Sequence, residues 1–109
     1  MYAWLLQNFT PETIADILRP ETEGPDLVLS SPAMVQEQRI GRGFEVTSTE
    51  DSPVGVPTFG HNGSGGITAF ADPAHRVAFG YTTTRIILGP PGTDPRARAL
   101  TEAVYQSLH

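Results

Sequence analysis

The stretch Phe59-Gly60-His61-Asn62-Gly63-Ser64-Gly65-Gly66 constrains this chain more than any other segment. Three of its last four residues are glycine, and a histidine precedes them. Such a segment brings backbone N–H groups and one polar side chain close to a bound group. Strand-like sequence follows on both sides of Asp72-Pro73, so the glycines lead into a sheet rather than a helix. A second constraint is an absence. None of the 109 residues is lysine, and all seven basic residues are arginine.

A chain of 109 residues is one domain at most, or a piece of one, with room for a modest core. Its hydrophobic content of 39% lies above disordered composition, while 11 glycines and 10 prolines argue for turns over a helical bundle. The formal charge is −5 with no basic run, which argues against a nucleic-acid partner. Without cysteine there is neither disulfide nor thiolate chemistry. The apolar run Ala3 to Leu6 is too short for a signal peptide, and nothing approaches a membrane span. As written, the sequence implies a cytoplasmic chain without membrane contact.

Along the chain, Thr10-Pro11-Glu12 predicts a helix start, with Thr10 as cap and Pro11 at the first helical position. Ile14, Ile17 and Leu18 form its apolar stripe, and Pro20 stops it. Trp4, Leu5, Leu6 and Phe9 fit the end of an earlier helix. Residues 21–38 read as connection, with Leu27-Val28-Leu29 as the only buried-looking stretch. Residues 40–49 read as one strand, alternating Phe44, Val46 and Ser48 against Glu45 and Thr47. Residues 66–71 and 76–84 read as a hairpin turning at Asp72-Pro73-Ala74-His75. Val77, Phe79 and Tyr81 share one face of its second strand, with Ala78 and Gly80 on the other. Small residues there suggest a sheet covered on both sides. Asp94-Pro95 opens a last helix with Ala97, Leu100, Val104 and Leu108 as its buried stripe. The expected fold is α+β: a three-stranded antiparallel sheet with flanking N- and C-terminal helices. Its single partial domain, 1–109, divides into helix and connection (1–38), strands (39–84) and terminal helix (93–108).

Generic site motifs fail on the glycine stretch. A phosphate loop needs lysine, a dinucleotide fingerprint needs a helix after the glycines, and Asn62-Gly63-Ser64-Gly65-Gly66 lacks the leading glycine of a nucleophile elbow. His61, His75 and His109 have no metal-ligand spacing, so neither metal nor cofactor is expected. Asp72 and His75 read as a solvated turn pair, Asp94 as a helix cap and Glu102 as an exposed helix charge. Arg39 and Arg42 read as an exposed strand edge.

The whole span carries more than the loop. His61-Asn62-Gly63-Ser64-Gly65-Gly66, then Ala69-Phe70-Ala71-Asp72-Pro73, then Phe79-Gly80-Tyr81 and a terminal helix resembles the C-terminal end of the β-lactamase-like serine hydrolases. This family includes class C β-lactamases, carboxylesterases and DD-peptidases. Thr10-Pro11-Glu12-Thr13 is similar to the family's helix start, and Gly41-Arg42-Gly43-Phe44 to its Gly-x-Gly-aromatic strand. The resemblance covers nearly the whole chain, but only about the last quarter to third of a typical member.

The resemblance implies a substrate-binding set of His61, Asn62, Gly63 and Ser64 for a small ester or amide. His61-Asn62-Gly63 looks like the third family motif, Lys-Thr-Gly in lactamases and His-x-Gly in many esterase-like members. His61 then orients the substrate's polar group, Gly63 lets the acyl group approach, and the Ser64 N–H is one oxyanion-hole donor. The histidine leans towards the esterase side. The family's nucleophile sits in Ser-x-x-Lys and its proton relay in Tyr-x-Asn. Without lysine the first is impossible here, and Tyr2, Tyr81 and Tyr105 lack the asparagine of the second. No catalytic residue is therefore expected, and the chain alone is expected to be inactive. A complementing N-terminal segment, or self-association through an open sheet, follows as the expected partner. The alternative is a stand-alone small binding module. An enzyme built on His61 and Ser64 is disfavoured, because residues three apart on extended chain face opposite ways.

Overall fold

The computed structural model describes residues 1–28, 30–33 and 37–108. Helices α1 (Tyr2–Asn8) and α2 (Pro11–Leu18) precede strands β1 (Thr22–Pro25), β2 (Glu37–Gly41), β3 (Phe44–Thr47), β4 (Thr58–Gly63), β5 (Ile67–Asp72) and β6 (Val77–Tyr81). Helix α3 (Pro95–Ser107) follows. The six strands form one antiparallel meander in sequence order. The α+β class stands, but the three-stranded sheet expected from sequence is corrected to six strands.

Two local causes account for the difference. The expected strand over 40–49 contains a hairpin: Gly41 pairs with Phe44, and the two residues between them, Arg42 and Gly43, have φ of 47° and 88°. Positive φ at both central positions is the tight turn whose twist matches a hairpin. The expected strand extends the alternation from Phe44 to Ser48 back to Ile40 across Gly41 and Gly43. Thr22–Pro25, read as connection, pairs with Glu37–Gly41 as the outer strand. The buried stretch expected nearby is absent where described, since Leu27 and Val28 are exposed; Leu29 lies outside the described residues, as does His109.

Strand alternation gives the sheet two unlike faces. Val46, Phe59 and Ala71 are register partners on one face, where they join Leu5 of α1 and Ile17 of α2 in the apolar core. Tyr2, Phe44 and Phe59 meet there at ring-centroid distances of 5.2–6.2 Å, in the tilted and edge-on geometries that favour aromatic pairs. Thr10 caps α2 by accepting from the Thr13 N–H at 3.2 Å, as its sequence predicts.

Helix α3 attaches to the opposite face and does so with polar groups. Its buried residues are Ala97 and Thr101, while Leu100 and Leu108 are each 48% exposed. The expected apolar stripe is thus rotated, because Thr101 satisfies its own hydroxyl by donating to the Ala97 carbonyl at 2.8 Å. Tyr105 sets the rotation. Its hydroxyl donates to Asp72 Oδ2 at 2.6 Å, and Asp72 is completely buried. Asp72 also accepts from His75 Nδ1 at 2.7 Å and from the His75 N–H at 3.1 Å. A carboxylate only accepts, so the imidazole proton sits on Nδ1. The Asp72–His75 turn pair is thus solvated on one side only: the Asp72 carboxylate is buried, while the His75 ring is 40% exposed. A buried charge is tolerable only with such partners. Burial first, and then the Asp72 bond, hold the Tyr105 hydroxyl well above the usual phenol range.

Among the described residues no helix is long and apolar enough to cross a membrane. The Asp72 contact gives the first test. Tyr105→Phe removes one hydrogen bond to a buried charge and should cost about 1.5–3 kcal/mol. A urea midpoint shift with unchanged slope checks it. Thr101→Ala, which severs only a bond within the helix, should cost less.

Candidate functional site

The glycine stretch becomes the end of β4, the turn over residues 64–66, and the start of β5. His61 pairs with Ala69, and Ala69 with Gly80, so these three form one row across β4, β5 and β6. The row lies on the same face as Phe59 and Ala71, two residues along each strand. Helices α1 and α2 cover the Phe59 end of that face and leave the His61 end bare. The His61 side chain is 68% exposed, Ile67 is 41% exposed, and a Cβ added at Gly80 would meet no atom within 4 Å. The result is an open shelf, low in profile because Ala69 and Gly80 are small, with one imidazole standing on it.

Asn62 faces the other way and is fully engaged. Its backbone N–H and Nδ2 donate to Glu45 Oε2 at 2.9 and 3.2 Å, and its Oδ1 accepts from Thr68 at 2.6 Å. Glu45 reaches this position because β3 pairs with β4 only as far as Gly60, leaving the next N–H of β4 without a strand partner. The second oxygen of Glu45 lies 3.8 Å from His61 Nε2, beyond hydrogen-bond distance, so the carboxylate holds Asn62 and only neighbours the imidazole. Glu45 is the residue that sequence reasoning passed over; strand alternation placed it opposite the core but gave no sign of what it holds.

Gly63 ends β4 on the shelf side, and Ser64 is exposed in the turn. Of the four residues singled out, His61 and Gly63 thus share the open face, Asn62 supports them from behind, and Ser64 projects from the turn. Among the described residues no hydrogen bond joins His61 to Ser64, so the two do not form a base–nucleophile pair.

The turn itself is fixed by the start of α3. Gly66 has φ of 101°, and Asp94 Oδ2 occupies the space a Cβ there would take. Asp94 caps α3 by accepting from the Arg96 N–H at 2.8 Å, the role its sequence predicts. The Arg96 guanidinium grips Asp94 through Nε and Nη2 at 3.1 and 2.6 Å. Its Nη1 donates to the Arg85 carbonyl at 2.8 Å and the Thr83 hydroxyl at 3.3 Å. The Arg96 hydrogen bonds hold the Asp94 carboxyl down at about 2. Arg39, read as an exposed strand edge, bridges Glu23 at 2.6 Å and Asp51 at 2.8 Å.

Behind the shelf, between sheet and α3, lies a cavity of about 390 Å³ whose border includes Thr47, Thr58, Asn62, Thr68 and Thr101. Its hydroxyls are paired: Thr47 and Thr58 meet at 2.7 Å, and Thr68 holds Asn62. No buried side-chain polar atom among the described residues is left without a partner. This face stiffens the strand that carries His61.

Two outcomes follow. Gly66→Ala should displace Asp94 and loosen the turn, costing about 1–3 kcal/mol from overpacking and strained φ together. In acid, the depressed folded pKa of Asp94 fixes the sign. Its contribution is complete above its unfolded value near 3.8 and is lost as pH falls towards about 2. The stability gap between the native chain and Asp94→Asn should be constant above about pH 5 and shrink below pH 4, as read by urea unfolding at each pH. The chain matches no family model and no curated protein sequence.

Proposed function

We propose that this chain is the C-terminal portion of a β-lactamase-like serine hydrolase, acting on a small ester or amide through an acyl-enzyme once a further segment supplies the nucleophile. The observation that carries this reading is the bare His61–Ala69–Gly80 shelf beside a rigid glycine turn. A wall of that shape accepts a flat acyl group and a second protein surface above it. His61 stands at the edge where a polar substituent would lie, with the Glu45 carboxylate 3.8 Å from its Nε2. The Ser64 N–H supplies one donor where negative charge develops on the carbonyl oxygen, and preorganised donors of this kind stabilise the transition state. The complementing segment brings Ser-x-x-Lys and Tyr-x-Asn: the serine attacks the carbonyl, and the lysine and tyrosine groups move its proton to the leaving group. No cofactor is involved.

A second reading is a stand-alone binding module. The feature favouring it is the closed core of Leu5, Ile17, Val46, Phe59 and Ala71 under two helices, which gives the sheet its own apolar anchor. Cooperative two-state unfolding of the chain by itself would support that alternative.

The coding DNA preceding Met1, translated in all frames, separates them. Ser-x-x-Lys followed by Tyr-x-Asn is expected there, and the absence of both would overturn the hydrolase reading. The 109-residue chain incubated alone with a fluorophosphonate or a penicillin should show no covalent mass increase. In the assembled hydrolase, His61→Ala should lower kcat/KM about tenfold or more towards an ester such as p-nitrophenyl butyrate, the effect of losing one orienting contact of about 1.4 kcal/mol.

A further inference from the structure

The two edges of the sheet differ in a way that the hydrolase reading does not use. At one edge, β1 carries Glu23, Gly24 with φ of 125°, and Pro25, which has no N–H to offer. Charge, irregular backbone and proline are the devices that keep an edge strand from pairing. At the other edge, β6 reads Val77-Ala78-Phe79-Gly80-Tyr81, with no charge, no proline and no residue of positive φ. It pairs with β5 along all five residues, so its backbone is regular and its outer row of N–H and C=O groups faces away from the sheet.

We infer that the β6 edge is a self-pairing surface through which two copies of this chain join their sheets. The occupant is set by the strand's own sequence. A two-fold axis normal to the sheet keeps each face on its own side, so opposed residues must belong to the same face. Antiparallel pairing centred on Phe79 meets that condition and is the register that uses all five residues. Phe79 then opposes its own copy, Val77 opposes Tyr81, and Ala78 opposes Gly80. The first two are aromatic–aromatic and aromatic–β-branched pairs, which favour strand association. The third, on the α1 side, is small enough to place nothing in the way; Ala78 and Gly80 are both exposed there. No like charges meet within the five-residue pairing.

The helix beside this edge points to the same partner. α1 lies over β5 and β6, and its flanking Met1 and its Trp4 are 79% and 59% exposed. The two-fold operation places both α1 helices, with these exposed apolar groups, on one face of the joined sheet. A twelve-stranded sheet results, with both His61 shelves on the same face.

Sedimentation equilibrium of the purified chain from roughly 1 to 100 μM, a range that covers micromolar association, should show conversion to twice the 11.7 kDa monomer. A monomer throughout would overturn the inference. The register is tested by charge at two exposed positions. The double variant Ala78→Lys with Gly80→Lys opposes like charges at two symmetric places and should remain monomeric. Ala78→Glu with Gly80→Lys opposes unlike charges and should restore the dimer. Dimerisation of the double-lysine variant, or no recovery in the mixed-charge variant with circular dichroism unchanged, would reject this pairing. If both variants unfold, hydrogen exchange of the native chain decides. Alternate amides within residues 77–81 should gain protection with rising concentration, and exchange independent of concentration would count against the edge.

Discussion

The buried carboxylate of Asp72 is the contact on which the arrangement of this molecule turns. It ends β5, accepts from the turn that follows through His75, and accepts from Tyr105 near the far end of α3. At the near end of α3, Asp94 sits in the space left by Gly66 and is clamped by Arg96. The helix is therefore held at its far end by Tyr105 on Asp72 and at its near end by Arg96, which donates to the Arg85 carbonyl and the Thr83 hydroxyl, with Ala97 as its one buried apolar side chain. Hydrogen bonds that involve a charged group are worth more than neutral ones and are directional, so the Tyr105 and Arg96 contacts fix the helix in angle as well as position. The cost is that neither can be broken singly without leaving a polar group poorly served.

The opposite face is held by different physics. There Leu5, Ile17, Val46, Phe59 and Ala71 are removed from water, with the rings of Tyr2 and Phe44 packed beside them. Full burial of an aliphatic or aromatic side chain is worth roughly 1.5–3 kcal/mol, and it has no preferred direction. The sheet thus has a non-directional anchor on one side and a directional one on the other. The His61 shelf lies on the apolar face beyond the reach of the anchor, where the strand is held flat by the polar face behind it.

What could be read from sequence divides along the same line. Both helix caps, Thr10 and Asp94, were legible because capping depends on a side chain and its immediate neighbours. The β5–β6 hairpin was legible because alternation and Asp72-Pro73 agree. The turn at Arg42-Gly43 was not read, because the alternation from Phe44 to Ser48 was extended back to Ile40 across Gly41 and Gly43, the two glycines that mark the break. The outer strand β1 escaped for a related reason: an edge blunted by glycine and proline is composed like a loop. Helix α3 was found but turned, because the apolar stripe rule takes the most hydrophobic face as the inner one. Here the partner is a buried acid, so tyrosine and threonine face inward.

The same point bears on His61-Asn62-Gly63-Ser64. Adjacent residues on a strand serve opposite faces, so a functional tetrad on extended chain cannot all face a substrate. The geometry separates these roles. His61 and Gly63 line the open side, while Asn62, bound by Glu45 and Thr68, fixes the backbone that positions them. Glu45 is the hinge between the two sides, touching Asn62 with one oxygen and lying near His61 with the other. The hydrogen bonds of the rear face hold Asn62, and with it the backbone between His61 and Gly63, while the His61 side chain stands 68% exposed on the other face.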